Sequence, residues 1–262
     1  MRIAPLEDAD LNWREEGDPE GPAVVFANSL GTDLRLWDKV VKRLPGHLRL
    51  IRYDKRGHGL SSAPPAPYSM GSLVTDAERL IEHAEAAGCV FVGLSIGGLI
   101  AQGLGAKRPD LISGMVLANT AVKIGTRDSW DERIATIRAH GIDAIADATM
   151  EKWFTPAFRD TPDCLAWRNM LTRQPLDGYA GCCAAIGGTD FLSTTSTLGM
   201  PVLCIAGDHD GATPPDVVRE MHETAPDSRY HLIHGAGHLP PVETPDEFTA
   251  VLLDFLEEIG HA

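Results

Sequence analysis

FVGLSIGGLI, residues 91–100, predicts a sharp turn from a buried strand into a helix. Apolar strand formers dominate Cys89–Leu94, and a helix is predicted over Leu99–Lys107. Glycines stand two residues before and two residues after Ser95, where larger side chains would clash in so tight a turn. A G-x-S-x-G pattern alone also arises by chance in glycine-rich loops. With a strand before it and a helix after it, the pattern predicts a nucleophilic serine held out at the carboxyl end of the strand, over a helix amino terminus.

The length and charge of the chain limit the number of its domains and the kinds of partner that it can bind. Its 262 residues suit one sizeable domain with room for an insertion. The formal net charge of −14 argues against a nucleic-acid partner, because phosphates require a basic face. A small anionic substrate stays compatible with this charge, provided that its pocket is locally basic.

Several features are missing from the sequence. No apolar run approaches the ~20 residues of a membrane span, so we expect no membrane contact. The opening residues, MRIAPLEDADLNW, lack the basic and apolar regions of a signal peptide, which predicts a cytoplasmic protein. The five cysteines form no C-x-x-C pair, so neither a zinc site nor a disulfide framework is expected. With no phosphate-binding loop or nucleotide fingerprint, we predict no cofactor. The sequence does not indicate which oligomeric state the protein adopts.

Strands and helices alternate up to residue 120. Such alternation predicts a parallel sheet with helices on both of its faces. A hairpin-like pair opens the chain at 2–5 and 10–15. Further strands are predicted at 22–28, 48–54, 89–94 and 111–119, and helices at 33–44 and 72–87, the latter with Ser72 as N-cap.

Residues 121–190, called here the helical segment, break this alternation. Four helices are predicted there with no strong strand between them, at 128–140, 142–151, 163–172 and 177–186. Strand and helix alternate again afterwards. We therefore predict a core domain formed by residues 1–120 and 191–262, and a helical cap formed by residues 121–190.

Two later loops carry the groups that a nucleophilic serine needs. A serine is a poor nucleophile near pH 7 unless a base lies within hydrogen-bond reach and a third group orients the base. One loop, GDHDGATPP at 207–215, offers Asp210 and, two residues earlier, Asp208. The other, HGAGHLPP at 234–241, offers His238. Both loops follow predicted strands, and the carboxyl ends of parallel strands meet at one edge of a sheet.

The chain resembles the α/β-hydrolase superfamily from end to end. The resemblance implies the α/β-hydrolase fold, with a mostly parallel eight-stranded sheet, helices on both faces of the sheet and an inserted helical cap. Four stretches carry the resemblance in the expected order: YDKRGHGLS at 53–61, GLSIGG at 93–98, GDHDGATPP at 207–215 and GAGHLPPVETP at 235–245. Within the superfamily, the chain is most similar to 3-oxoadipate enol-lactonases. That similarity is carried by NSLGTDLRLWD at 28–38, MEKWFTPAFR at 150–159 and PLDGYAGCCAAI at 175–186.

The resemblance implies roles for individual residues. Ser95 would be the nucleophile and His238 the base and then the acid. Asp210 would orient His238, in preference to Asp208, since the family pattern places the acid at the fourth position of G-x-x-D. The backbone N–H groups of Leu30 and Ile96 would form the oxyanion hole. We expect His58 and Arg56, in the YDKRGHGLS loop, to brace that loop rather than take part in the chemistry.

The substrate implied by the resemblance, 3-oxoadipate enol-lactone, carries a free carboxylate, which needs a cation or donor to orient it. The helical segment offers five candidates for this contact: Trp130, Arg133, Arg138, Trp153 and Gln174. Trp130 and Arg133 are preferred, because residues three apart share a helix face. Trp153 is expected to form an aromatic wall or to belong to the core of the segment.

Two alternative functions stay open on the sequence alone. The same triad serves carboxylesterases, carbon–carbon hydrolases and cofactor-free haloperoxidases that act through a peracid. A protein with this fold could also be a ligand sensor that has lost turnover, because a fold does not determine a function.

Overall fold

An eight-stranded sheet forms the centre of the protein, which a computed structural model describes over residues 2–262. The sheet order is β1-β2-β4-β3-β5-β6-β7-β8. β1 pairs antiparallel with β2 and β2 with β4, and every other pair is parallel, which confirms the predicted mostly parallel sheet. The strands are β1 (Arg2–Pro5), β2 (Asp10–Gly17), β3 (Ala23–Ala27), β4 (Arg49–Tyr53), β5 (Cys89–Leu94), β6 (Ile112–Ala118), β7 (Val202–Gly207) and β8 (Ser228–Ile233).

The strand that precedes Ser95 lies in the middle of the sheet. β5 pairs with β3 on one side and with β6 on the other. All six of its residues are buried. Because successive side chains of a strand point to opposite faces, this burial means that both faces of the sheet are covered.

Helices supply that cover. None of the helices between residues 2 and 262 has the length and apolarity that crossing a membrane would require. They are α1 (Asp38–Val41), α2 (Met70–His83), α3 (Ile96–Lys107), α4 (Arg127–His140), α5 (Ala146–Trp153), α6 (Pro156–Arg159), α7 (Pro162–Thr172), α8 (Leu176–Gly187), α9 (Leu192–Thr195), α10 (Pro215–Thr224), α11 (Pro240–Glu243) and α12 (Pro245–Glu258), with 3-10 helices at Leu34–Trp37, Pro109–Leu111 and Ile142–Ile145.

The helical segment contains α4 to α8, and the described chain has no strand between β6 and β7. Its first long helix, α4, packs against its last, α8. Three of the four predicted helices correspond to α4, α7 and α8. The fourth is a 3-10 helix followed by α5. The separation of this segment as a cap domain stays a prediction.

The helix predicted over residues 33–44 is wrong in type and length. A 3-10 helix occupies Leu34–Trp37 and the short α1 follows it. The first turn is held by side chains, since Asp33 accepts a hydrogen bond from the Arg35 amide and Asp54 accepts one from the Leu34 amide at 2.7 Å. Hydrogen bonds from backbone amides to these carboxylates compete with the regular backbone hydrogen bonds of an α-helix.

The N-cap predicted for α2 is also wrong. The helix begins at Met70, and Ser69 caps it, because its hydroxyl accepts a hydrogen bond from the Ser72 amide at 3.1 Å. The helix ends at His83, before Glu85 adopts a positive φ of 52°. The predicted cap therefore lies three residues too far along the chain.

The close approach of α3 to β3 gives a test of the fold. A methyl group added at Gly97 would lie 2.3 Å from the Ala27 carbonyl oxygen, which is a backbone atom that cannot move away easily. We expect Gly97→Ala to lower the free energy of unfolding by about 1–3 kcal/mol, measured by urea denaturation. Gly46→Ala is the control, since no atom lies near its added methyl group, and it should change stability by no more than about 0.5 kcal/mol. Equal stability of the two variants would contradict this packing.

Candidate active site

Ser95 lies at a strained turn between β5 and α3. Its φ of 60° and ψ of −117° fall outside the regions that non-glycine residues normally occupy, which costs about 1–3 kcal/mol. A methyl group at Gly93 would lie 2.2 Å from the Gly97 carbonyl oxygen. The glycines on each side of Ser95 therefore allow the turn, as the sequence predicted, and α3 begins directly after the serine.

Two backbone N–H groups near this turn have no acceptor within residues 2–262. One belongs to Ile96, the first residue of α3, and the other to Leu30, in the loop after β3. Free N–H groups at a helix amino terminus favour negative charge. The pair is suited to an oxyanion, and that role stays a prediction.

His238 and Asp210 meet at the carboxyl ends of β7 and β8. The Nδ1 atom of His238 lies 2.9 Å from Oδ2 of Asp210, and both side chains are buried. Asp208 instead accepts hydrogen bonds from His234 Nδ1 at 3.0 Å and from the Gly235 amide at 2.8 Å. The geometry thus favours Asp210 over Asp208 as the partner of His238.

The surroundings of Asp210 keep its carboxylate ionised. Burial acts to raise its pKa, but the charge of His238 and hydrogen bonds from His238, Asn119 and Thr213 outweigh burial, so the pKa lies below its ordinary value. Asn119 Nδ2 donates to Oδ2 at 2.9 Å, and Thr213 Oγ1 donates to the same oxygen at 2.8 Å. An ionised carboxylate at this position stabilises a protonated imidazole.

The other imidazole nitrogen faces Ser29. His238 Nε2 lies 3.3 Å from Ser29 Oγ, while Ser95 Oγ makes no hydrogen bond within the described chain. Ser95 and His238 line the same cavity. Catalytic hydrogen bonds are often long in ligand-free structures and tighten when substrate binds. The sequence analysis missed Ser29, although it lies in the NSLG stretch next to Leu30.

A cavity of about 210 Å³ opens above Ser95. Its lining includes two cationic side chains, Arg133 and Lys152, and no Asp or Glu. A locally basic cavity in a chain of net charge −14 is what a small anion would require. The lining residues are Ser29, Leu30, Ser95, Ile124, Gly125, Ser129, Trp130, Arg133, Thr149, Lys152, Trp153, Tyr179, Ala212, Thr213 and His238.

Arg133 is held in the cavity wall by neutral groups. Its Nη2 donates to Tyr179 Oη at 2.7 Å and to Thr149 Oγ1 at 2.9 Å. Within residues 2–262 it forms no ion pair with a carboxylate, and its guanidinium lies 5.9 Å from the Trp130 ring centre. The two preferred candidates, Trp130 and Arg133, and the expected aromatic residue Trp153 therefore all line the cavity.

The other two candidates from the helical segment lie elsewhere, which corrects their suggested role. Arg138 is exposed and pairs with Asp177 at 3.1 Å. Gln174 is engaged by the backbone, since its Oε1 accepts from the Gly59 amide at 3.0 Å and its Nε2 donates to the Met170 carbonyl at 3.0 Å. Neither side chain lines the cavity above Ser95.

The helical segment is joined to the His238 loop by backbone contacts. The His238 amide donates to the Trp153 carbonyl at 2.8 Å. Glu243 bridges the two regions, because Oε1 accepts from the Thr155 amide at 3.0 Å and Oε2 from the Gly237 amide at 2.7 Å. The end of α5 and the loop that carries His238 are therefore positioned together.

His58 and Arg56 brace their loop, as predicted. Arg56 makes two hydrogen bonds of 2.5 Å to the buried Asp76. His58 Nε2 accepts a hydrogen bond from the Gly31 amide at 2.9 Å, which requires that nitrogen to be unprotonated. Burial lowers the pKa of His58 well below its ordinary value, in agreement with a neutral ring.

The lining residues that were not foreseen include four with polar or charged side chains close to the proposed chemistry: Ser29, Lys152, Tyr179 and Thr213. Tyr179 lies in the PLDGYAGCCAAI stretch and Thr213 in GDHDGATPP, so both motifs had been noted without assigning these side chains. Within residues 2–262 no group of three or more His, Cys, Asp or Glu side chains could hold a metal ion. The arrangement as a whole can support acyl transfer to a serine.

Comparisons with known proteins agree with this geometry. A profile of the alpha/beta hydrolase family matches residues 24–251. The 3-oxoadipate enol-lactonase 2 of Acinetobacter baylyi is 34% identical over 253 residues, which is 92% of this chain and 91% of that protein.

Solved structures extend the likeness to three dimensions. The enol-lactonase from Burkholderia xenovorans LB400 is 35% identical, with a TM-score of 0.94 over 98% of this chain and 100% of that one. A thermophilic esterase from Thermogutta terrifontis, with malate bound, is 26% identical, with a TM-score of 0.90 over 97% of this chain and 95% of that one. The chain is therefore a hydrolase that belongs to the alpha/beta hydrolase family.

Proposed function

We propose that this hydrolase opens a small enol-lactone that bears a free carboxylate, and that 3-oxoadipate enol-lactone is its substrate. The observation that carries the proposal is the basic cavity above Ser95, lined by Arg133 and Lys152 without any carboxylate. The similarity to proteins named enol-lactonases supports the same substrate. The reaction, lactone plus water to 3-oxoadipate, would belong to the catabolism of protocatechuate and catechol in the cytoplasm.

Acylation opens the ring. Ser95 Oγ attacks the ring carbonyl carbon while His238 Nε2 accepts the serine proton, and the carbonyl oxygen becomes an oxyanion. The N–H groups of Leu30 and Ile96 donate to that oxyanion, and losing one such donor typically costs about 3 kcal/mol. The tetrahedral intermediate then collapses. The bond from the carbonyl carbon to the ring oxygen breaks, and the enol leaves with a proton from His238.

Deacylation releases the product. Because the ester is cyclic, the enol stays attached to the acyl chain on Ser95, where it tautomerises to a ketone. Water then attacks the acyl carbon while His238 removes its proton, and Ser95 leaves with that proton. The product carries a second carboxylate. Since an enol is a good leaving group, positioning of the lactone matters more than protonation by His238.

Arg133 is the proposed partner of the substrate carboxylate. Its guanidinium is held at one edge by Tyr179 and Thr149, which are neutral, so its positive charge is not compensated by a neighbouring carboxylate. A guanidinium binds a carboxylate through two parallel hydrogen bonds and so fixes its orientation. Trp130 and Trp153 form aromatic walls beside it.

A substrate panel tests the proposed function. The protein should open the enol-lactone with a higher kcat/KM than it shows for neutral aryl acetates, and peracid formation should be slower still. Rapid aryl-ester hydrolysis without lactone opening would favour a carboxylesterase, in line with the esterase relative. Peracid formation as the main activity would favour a haloperoxidase. Unchanged lactone hydrolysis by Ser95→Ala would refute the mechanism.

Asp210 and Asp208 form a matched pair for testing the orienting acid. We expect Asp210→Asn to lower kcat by about 10³- to 10⁴-fold, because an amide N–H facing Nδ1 favours the wrong tautomer of His238. Asp208→Asn should keep kcat within about threefold of the wild type, since Asp208 faces His234 instead. Steady-state kinetics at pH 7.5 measures both. The reverse order of effects would identify Asp208 as the acid.

Arg133 and Arg138 form a second matched pair, because both lie on α4. Arg133→Met should raise KM for the lactone by about 10- to 100-fold, the value of a hydrogen bond to a charged group, with little change in kcat. The same variant should hydrolyse a neutral aryl acetate normally. Arg138→Met should match the wild type on both substrates, since Arg138 is exposed and pairs with Asp177. An equal loss on the neutral ester would mean that Arg133 supports the fold rather than the carboxylate.

A further inference from the structure

The carbonyl group of Ser29 is held by a buried lysine. Lys55 follows β4 in the YDKRGHGLS loop and is 1% exposed. Its Nζ donates to the Ser29 carbonyl oxygen at 2.6 Å, and a second acceptor, the Thr32 carbonyl, lies at 3.4 Å. The Ser29 oxygen also accepts from Thr32 Oγ1 at 2.9 Å and from the Thr32 amide at 3.3 Å.

The Ser29 carbonyl and the Leu30 N–H belong to one peptide group. Because a peptide group is planar, fixing its carbonyl oxygen also fixes the direction of its N–H. The next amide is fixed as well, since the Gly31 N–H donates to His58 Nε2. The Leu30 N–H lies between these two anchored groups and has no acceptor of its own within residues 2–262.

Lys55 brings a charge to a place where neutral groups already bind the carbonyl. Within the described chain it forms no ion pair with a carboxylate, and burying an ammonium group with carbonyl partners alone is costly. Thr32 already holds the same oxygen without charge. A brace alone would not require a cation, whereas a developing anion beside the Leu30 N–H would gain from one.

We propose that Lys55 is a positioning residue, which as a cation orients and polarises the Ser29–Leu30 peptide so that the Leu30 N–H binds the oxyanion. A donor on the carbonyl oxygen strengthens the N–H of the same peptide as a hydrogen-bond donor. The inference rests on the proposed acyl-transfer mechanism at Ser95, but it applies to any ester substrate of that site.

The charge on Lys55 gives the inference a pH signature. Burial lowers the pKa of Lys55 to about 8, and the titratable groups that act on it in the opposite direction are Cys182, Asp54 and Asp33. The cation is present below this pKa and is lost as the pH rises through it. Burial raises the pKa of Cys182 to about 12, and burial together with the charge of Lys55 lowers that of His58 well below its ordinary value. Neither neighbour therefore titrates between pH 7 and 9.

The test compares wild type, Lys55→Met, Lys55→Gln and Thr32→Val on the enol-lactone and on p-nitrophenyl acetate, from pH 6 to 9.5. Lys55→Met should lower kcat at pH 7 by about tenfold or more on both esters, with KM nearly unchanged. The wild type should lose activity around pH 8, and neither Lys55 variant should show this alkaline fall. Thr32→Val, which removes a neutral donor to the same oxygen, should lose less activity and keep the alkaline fall.

The results that would contradict the role of Lys55 differ from those that would contradict the proposed substrate. The inference would be overturned if Lys55→Met kept the wild-type kcat. It would also be overturned if Lys55→Gln kept both the wild-type kcat and the wild-type fall in activity at alkaline pH. Lys55 would then only support the structure of the loop. If Lys55→Met does not fold, Lys55→Gln and the wild-type pH profile decide the matter. If the wild type hydrolyses p-nitrophenyl acetate but not the lactone, the proposed substrate fails, while the effect of Lys55 on the aryl ester is still decisive.

Discussion

The close packing of backbone at the carboxyl end of β5 is the constraint on which the site depends. Gly93 and Gly97 allow the first turn of α3 to lie against the end of β3, where the Ala27 carbonyl leaves no room for a side chain. This contact holds Ser95 in its strained conformation. It also sets the start of α3, with the Ile96 N–H, against the end of β3, the strand whose following loop carries Leu30.

A second set of contacts ties this turn to the rest of the site. Asn119, just after β6, donates to Asp210 Oδ2 at 2.9 Å and to the Gly237 carbonyl at 3.3 Å. Next to it, Thr120 donates to the Ser95 carbonyl at 2.7 Å. The end of β6 therefore links the serine turn to the Asp210 and His238 loops. The sheet edge acts as a rigid frame, as effective acyl transfer requires.

The sequence predicted which side chains would lie together wherever their position follows from strand order. Ser95, Asp210 and His238 each follow a strand of the parallel sheet, and strand ends of such a sheet meet at one edge. The contact between Ser29 and His238 could not be predicted in the same way. It depends on the rotamer of the imidazole, which local sequence does not determine. The role proposed for the charge of Lys55 likewise could not be inferred before its carbonyl partners were known.

The choice among the helical-segment candidates shows the same limit. Arg133 and Arg138 both lie on α4, and from the sequence either of them could be a solvent-exposed arginine. Only the rotation of α4 against α8 decides that Arg133 meets Tyr179 and the cavity, whereas Arg138 meets Asp177. That rotation is set by packing between distant parts of the chain, so helical periodicity alone could not resolve it.

One structure would test the central claim most directly: the Ser95→Ala variant with 3-oxoadipate enol-lactone bound. The account predicts that the ring carbonyl oxygen lies within hydrogen-bond distance of the Leu30 and Ile96 amides, and that the carboxylate meets the guanidinium of Arg133. A lactone bound with its carbonyl away from those amides, or with its carboxylate turned toward solvent, would contradict the account.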